Sequence, residues 1–392
     1  MNRAALAARL LLAVSVLPTA GAAGYAVYEY RHQSAADTDY RTRPNASIGV
    51  GFPPTKGALL GVFAPTLPSN GRAASDTSGL ESFNAAVHHR AALTVAYINW
   101  GSPFPVKYVG DAAKIGAMTV LELEPRGKGA PKLPQIAAGR GDNWLKEFAA
   151  SIAATKIPLI LSFGPEMNGS WYAYGSGRNV FRDYIRAYRH VHDKLIKDIG
   201  EYLPPPRAAG LIKFMWQPSA IHTSTPSPIP YWPGARYVNL IGLDGYYYHS
   251  TDTFHIIFAR TIQLLRKLSP KTRIMIGETA VGPMTGHQAG GIKDLFAGIK
   301  LNKLAGLIWF NRNQMNISYG QGKRIYHQDW RLQDHPAALR AFISALKANG
   351  SFASLLSSVT KDAGPARDAE CAKTGHSSDL NQDHCRVRLA LH

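Results

Sequence analysis

The 392-residue chain has only two cysteines, Cys371 and Cys385, both close to its end. Two thiols exclude a disulfide-rich scaffold and a zinc site built from cysteine alone. No G-x-G-x-x-G follows an early apolar run, which weakens the case for a dinucleotide-binding open sheet. No repeat of solenoid period occurs. Acidic residues are scarce, 26 Asp+Glu against 44 Lys+Arg, giving a net charge of +18 with histidine neutral. That excess favours an acidic partner: nucleic acid, an anionic polysaccharide or a membrane surface. The basic residues are nevertheless scattered through helical stretches such as 182–197, and no arginine-rich tract occurs, so nucleic acid is not expected as a partner. A solvated basic surface is the plain reading. Attraction to an anionic polysaccharide or to the cell envelope is the sharper one.

What is present suits a large folded body. Hydrophobic residues make up 45% and charged residues 18%, enough apolar material for a sizeable core. The length fits one large α/β barrel with extensions, or two medium domains. At the start, Arg3 and Arg9 precede an uncharged stretch over 10–28, with Ala20-Gly21-Ala22 as a small-residue cleavage site. Residues 1–30 therefore read as a signal peptide. The competing reading is an uncleaved anchor with its basic end in the cytoplasm. Either way the body is expected to be exported, periplasmic or secreted, and to meet a membrane only through that segment. Residues 31–47 read as a linker and 350–392 as an irregular tail. In an oxidising compartment Cys371 and Cys385 are expected to pair, a closure worth about 3 kcal/mol.

Between 58 and 311, apolar runs alternate with amphipathic segments. The runs are 58–63, 93–98, 118–123, 158–163, 212–216, 238–243, 273–276 and 306–310. They are nearly continuous in Leu, Ile, Val and Met, as parallel strands buried on both faces should be. Segments such as 144–155, 180–199, 253–268 and 292–301 carry helical spacing. Eight runs with intervening helices predict an α/β fold, a (β/α)8 TIM barrel over 48–349 with the export segment before it and the tail behind. A doubly wound open sheet is the alternative.

In such a barrel the chemistry lies where strands end. Asn99-Trp100, Glu124-Pro125, Glu166-Met167-Asn168-Gly169-Ser170-Trp171-Tyr172, Gln217-Pro218, Asp244-Gly245-Tyr246, Glu278-Thr279 and Trp309 follow or close successive runs. Carboxylates, amides and aromatics gathered at one rim suit a carbohydrate: flat faces for sugar rings, acids and amides for hydroxyls. Glu166 and Glu278 stand out because each closes an apolar run, where a solvated charge is not expected. Retaining glycoside hydrolysis requires two carboxyls about 5–5.5 Å apart, one protonated and one ionised. Apolar neighbours such as Trp171 would keep one protonated, and donors such as a tyrosine or Arg312 would keep the other ionised.

The run Glu166-Met167-Asn168-Gly169-Ser170-Trp171-Tyr172, together with Ile276-Gly277-Glu278-Thr279, resembles glycoside hydrolase family 26. That family is mainly β-mannanases, with β-1,3-xylanases and mixed-linkage glucanases. It belongs to the barrel clan with acid/base on strand four and nucleophile on strand seven. The resemblance covers about 58–346. It implies Glu166 as acid/base, Glu278 as nucleophile, Tyr246 as hydrogen-bond donor to the nucleophile, and Trp171 and Trp309 as subsite walls. Asn168 would contact the sugar 2-hydroxyl or orient Glu166, its other reading being a turn residue before Gly169. Tyr172 and Trp100 are further candidate platforms. One position departs from the family, which carries His directly before the acid/base where this chain has Pro165. A proline donates nothing from side chain or main chain, and it pushes Gly164 toward an extended conformation. A divergent member is therefore expected.

Asp244 reads as structural, from its Asp-Gly turn signal, and Glu124 as either a rim contact or a hydrogen-bond partner at the mouth. His88, His89, His190 and His192 lack a carboxylate at ligand spacing and read as helix-surface residues. No metal and no cofactor is expected. The expected partner is a polysaccharide, with an anionic one as the sharper reading of the charge, and the oligomeric state is left open. The rivals to hydrolysis are a non-catalytic glycan-binding barrel and an envelope protein of polysaccharide production.

Overall fold

A computed structural model of the protein describes residues 57–65, 76–177, 180–222, 225–319, 324–350 and 352. The export segment, the linker and the Cys371–Cys385 pair lie outside them. In chain order the elements are β1 (Leu59–Phe63), α1 (Ser78–Val87), β2 (Leu93–Asn99), α2 (Val106–Ile115), β3 (Met118–Glu124), α3 (Leu133–Ala137), α4 (Asp142–Thr155) and β4 (Leu159–Phe163). Then come α5 (Phe181–Gly200), α6 (Pro205–Leu211), β5 (Ile212–Trp216), β6 (Leu240–Asp244), α7 (Arg260–Leu268), β7 (Arg273–Thr279), α8 (Gln288–Leu301) and β8 (Gly306–Phe310). An antiparallel hairpin of β9 (Asn313–Tyr319) and β10 (Arg324–Asp329) follows, and α9 (Pro336–Asn349) ends the described body.

Strands β1 to β8 pair in sequence order, all parallel, and β8 closes onto β1. The fold is a (β/α)8 barrel. The apolar runs are its strands. The main differences are that β6 starts at Leu240, and that β7 runs on to Thr279, so Glu278 lies inside a strand rather than beyond it. The strands are buried on both faces because side chains pack inward on each other and outward on the helices. The helices present one apolar stripe each. In α5, Tyr184, Ala187, Tyr188, Val191, Leu195 and Ile199 recur every three or four positions and all are buried. Gly116, with φ of 91°, ends α2 in the left-handed conformation that turns the chain into β3.

Two features were not expected from the sequence. The segment 253–268 is not one α-helix, because it opens with a π-helical turn, His255–Ala259. The β9–β10 hairpin beyond β8 carries no apolar run of the barrel type. The pleat also decides which side chains enter the barrel. Register pairs Tyr97 with Glu122 and Glu122 with Ser162, and pairs Asp244 with Glu278 after a shift in β7. These positions form an inward row near the carboxyl ends of the strands.

Candidate active site

Glu166 stands three residues past β4, on a turn rather than on the strand. Its φ is +54°, and Gly164 before it has φ +58°. Gly164 is thus left-handed, not extended as expected. Having no Cβ, it tolerates this ahead of Pro165, and its surroundings leave little room: a Cβ would stand 3.0 Å from the Tyr184 ring. The turn is held by Glu166 N donating to the Gln217 carbonyl at 2.7 Å and by Gly169 N donating to the Glu166 carbonyl at 2.8 Å. Glu278 extends from β7 at the same end of the barrel. Both glutamates are partly open to solvent.

The two carboxyls have different surroundings. Glu278 accepts a hydroxyl donor at each oxygen, Tyr246 at Oε1 and Tyr97 at Oε2. Burial pushes its carboxyl above the ordinary range, while the two phenols and the Arg312 charge pull it back down. Glu166 accepts one hydrogen bond, from Trp171 Nε1 to Oε2 at 2.7 Å. Burial and the Glu278 charge push it up to about 8, against the lowering influence of that indole. At neutral pH Glu166 therefore carries a proton. Trp171 reaches it because position 169 is glycine. The indole lies over that backbone, with Cζ2 at 2.3 Å from where a Cβ would be. The ring is 49% exposed, so it offers a free surface at the mouth.

Of the expected residues, Glu166, Glu278, Trp171 and Tyr246 come together. Tyr172 borders them. Its ring stacks on Tyr174 at 4.9 Å, with the Arg126 guanidinium 5.5 Å from its centre, and its hydroxyl reaches Glu124. Glu124, almost fully buried, is the hydrogen-bond partner at the mouth and holds Arg126 at 2.7 Å. Three expectations need correction. Trp309 is fully buried and lines no subsite. It pairs with Val62 and Thr279 on the outward side of the pleat, packs on Phe342 of α9, and donates to the Trp330 carbonyl at 3.0 Å. Its neighbour Phe310 takes the inward place, against Phe63, Tyr246 and Trp330. Trp100 is wedged against Trp144 and Phe163, and a Cβ at Gly141 would stand 2.7 Å from its ring, leaving no face for a sugar. Asn168 uses its whole side chain on protein. It donates to the Ser219 and Pro226 carbonyls and accepts from Ser219 N, at 2.8 to 2.9 Å. It is a loop clamp.

Asp244 is structural, as expected, but as a buried side chain in the barrel rather than a turn residue. His190 and His192 do have carboxylate partners, Asp142 at 2.7 Å and Asp193 at 2.9 Å, the first supplied by another helix. Sequence reasoning missed Tyr97, Glu122, Gln217 as a side chain, and Trp330, which stacks on Tyr246 at 5.0 Å. The signal for Tyr97 and Glu122 was their shared parity, each a polar group at the inward position of an apolar run.

A closed (β/α)8 barrel with a protonated glutamate after β4 and a tyrosine-held glutamate on β7 has the architecture of a barrel-clan glycosidase. Residues 139–333 match the model of Glycosyl hydrolase family 26. Endoglucanase H of Acetivibrio thermocellus is 26% identical over 314 residues, 75% of this chain and 31% of that protein. The mannan endo-1,4-beta-mannosidase of Bacillus subtilis is 26% identical over 181 residues, 45% of each. The catalytic domain of the endo-beta-1,4-mannanase of Bacillus sp. JAMB-750 shares the fold with a TM-score of 0.55 at 16% identity, over 76% of this chain and 88% of that one. The chain spans about a third of the first relative and less than half of the second. The family match covers just under half of the chain, and its likeness to glycoside hydrolase family 26 is that of a divergent relative.

Proposed function

We propose that the protein is a retaining glycoside hydrolase of β-linked polysaccharides, with Glu278 as nucleophile and Glu166 as acid/base. The observation that carries this is the unequal treatment of the two carboxyls. Glu278 is flanked by two phenol donors that favour its anion, and Glu166 is held up to about 8 by burial and by the charge of Glu278. In the first step a Glu278 oxygen attacks the anomeric carbon. The bond from that carbon to the bridging oxygen breaks, its electron pair stays on the oxygen, and Glu166 supplies the proton. In the second step Glu166, now ionised, takes a proton from water. The water oxygen bonds the anomeric carbon and the Glu278 carboxylate leaves.

Trp171 is proposed as the sugar platform nearest the cleaved bond, since its face is open and its nitrogen is already engaged with Glu166. Chains of the mannan and glucan type are the first substrates to test, because the relatives are named a mannosidase and an endoglucanase. An acidic exopolysaccharide is next, on the strength of the +18 charge. Export is proposed from the basic-then-apolar pattern of residues 1–30, with fractionation and amino-terminal sequencing as its check.

The test is reducing-end release from a panel of neutral and acidic β-glycans, with Glu278→Ala as control and Glu166→Gln in parallel. The expected result is turnover on at least one glycan, loss of it in both variants, and an initial product of unchanged anomeric configuration. Binding without turnover, unaffected by either substitution, would replace the hydrolase with a glycan-binding barrel.

A further inference from the structure

Below the two glutamates lies a set of buried polar groups that the two reaction steps do not use. Glu122 on β3, Gln217 just past β5 and Asp244 at the end of β6 are each at most 2% exposed. Gln217 Nε2 stands 2.9 Å from Glu122 Oε1, and 3.2 and 3.1 Å from Asp244 Oδ1 and Oδ2. An amide nitrogen has two hydrogens, so one serves each acid and none is left over. The cluster fits because positions 242 and 277 are glycine. A Cβ at 277 would stand 2.6 Å from Asp244 Oδ1, and one at 242 would stand 3.1 Å from Gln217 Cγ.

The Gln217 and Asp244 segments are wired to both glutamates through the main chain, and Glu122 joins them through its side chain. The Gln217 carbonyl receives the Glu166 amide at 2.7 Å, and the next turn of that segment is clamped by Asn168 on Ser219. Asp244 N donates to the Pro218 carbonyl at 3.0 Å, and Ala220 N donates to the Asp244 carbonyl at 2.8 Å. Gly245 N then donates to the Glu278 carbonyl at 3.0 Å. The path from Glu166 through Gln217 and Asp244 to Glu278 is unbroken. A glutamate at φ +54° keeps that conformation only where its surroundings impose it.

We infer that Glu122, Gln217 and Asp244 are positioning residues, a hydrogen-bonded layer that holds the left-handed turn of Glu166 and spaces it from Glu278. The inference rests on the reading of those two glutamates as the reacting pair. The surroundings of both acids favour their protonated forms. The titratable groups facing Glu122 are Glu278 from β7, Glu124 from β3 and Glu166 from the β4 turn, with the Tyr97 phenol of β2 beside it. Those facing Asp244 are Glu166, Glu278 and Glu122. Burial first, and then the Glu278 charge, push the two carboxyls above the ordinary range.

The experiment compares Glu122→Gln with Glu122→Ala in the full chain. It measures kcat and KM between about pH 4 and 9 on the best-cleaved glycan, thermal melting, and carboxyl-carbon NMR of glutamate-labelled protein. The glutamine variant copies the neutral acid, so kcat within about threefold of the parent and an unmoved pH profile are expected. The alanine variant leaves an amide hydrogen of Gln217 without a partner. Its kcat should fall roughly 10- to 100-fold at unchanged KM. A glutamine variant as impaired as the alanine one, or an alanine variant with parental kcat, overturns the inference. The NMR arm needs no turnover. The Glu122 signal, assigned by its loss in Glu122→Gln, should keep a protonated shift at neutral pH. The Glu166 titration should move in Glu122→Ala alone. An ionised Glu122, or a Glu166 titration that is the same in all three proteins, overturns the layer. Silence of the parent protein across all glycans would sink the hydrolase reading instead. Should the alanine variant not fold, the glutamine variant and the Glu122 protonation state decide.

Discussion

Trp171 donates its indole hydrogen to Glu166 while nearly half of its surface stays in solvent, so one side chain both tunes the acid and faces the mouth. The hydrogen bond lowers the proton affinity of Glu166 against burial and the Glu278 charge. Trp171→Phe keeps a flat ring and removes the donor. The Glu166 carboxyl then rises further above about 8, so the alkaline limb of the kcat profile is expected to move to higher pH. An alkaline limb that stays in place or moves down would show that the indole does not set the acid.

The two phenols on Glu278 make the opposite case. Each lowers a carboxyl that burial pushes up. Replacing either Tyr97 or Tyr246 by phenylalanine removes one donor to a charged acceptor, an interaction worth about 1.5–3 kcal/mol. A fall in kcat of roughly 10- to 100-fold is expected. The acidic limb should shift toward higher pH, since Glu278 then needs a higher pH to ionise. A Tyr97→Phe variant with parental kcat and parental acidic limb would remove Tyr97 from the site.

Tyr97 also shows what a linear reading could and could not find. The eight apolar runs were visible as strands because burial on both faces leaves little choice of residue. The Glu166-to-Tyr172 turn was visible because its glycine and aromatics lie together in sequence. Tyr97, Glu122 and Gln217 each lie on a different strand or strand end; register sets Tyr97 beside Glu122, and a side-chain hydrogen bond sets Gln217 on Glu122. Trp309 failed for the same reason. An aromatic at a strand end points in or out according to the pleat, and a shift of one residue exchanges Trp309 for Phe310. The β9–β10 hairpin, which leads to Trp330, has no barrel-type pattern to betray it.

The raised acid has a stability consequence. Glu166 titrates near 8 in the folded protein against 4.5 for an ordinary glutamate. Below the lower value both folded and unfolded chains are protonated there, and nothing is lost. As pH rises between the two values, the unfolded chain releases the proton and the folded one keeps it, so stability falls. Glu166→Gln removes this contribution. Its melting temperature should match the parent near pH 4 and exceed it increasingly toward pH 8. A difference that stays constant across that range would show that Glu166 is not held protonated by the fold.

Trp309 and Trp171 separate packing from recognition. Trp309 is fully buried between the barrel and α9, with its nitrogen on the Trp330 carbonyl, and meets no open face. Trp309→Phe leaves a gap in the outer layer and a carbonyl without its donor, so a lower melting temperature is expected, by an amount typical of a large buried truncation of about 1–3 kcal/mol. KM for a glycan should not change, because no sugar reaches that side of β8. Trp171→Ala is expected to do the reverse, raising KM with little change in melting, since the ring is about half exposed. Steady-state kinetics and melts on the two variants together check both halves. A raised KM in Trp309→Phe would return that residue to the substrate wall.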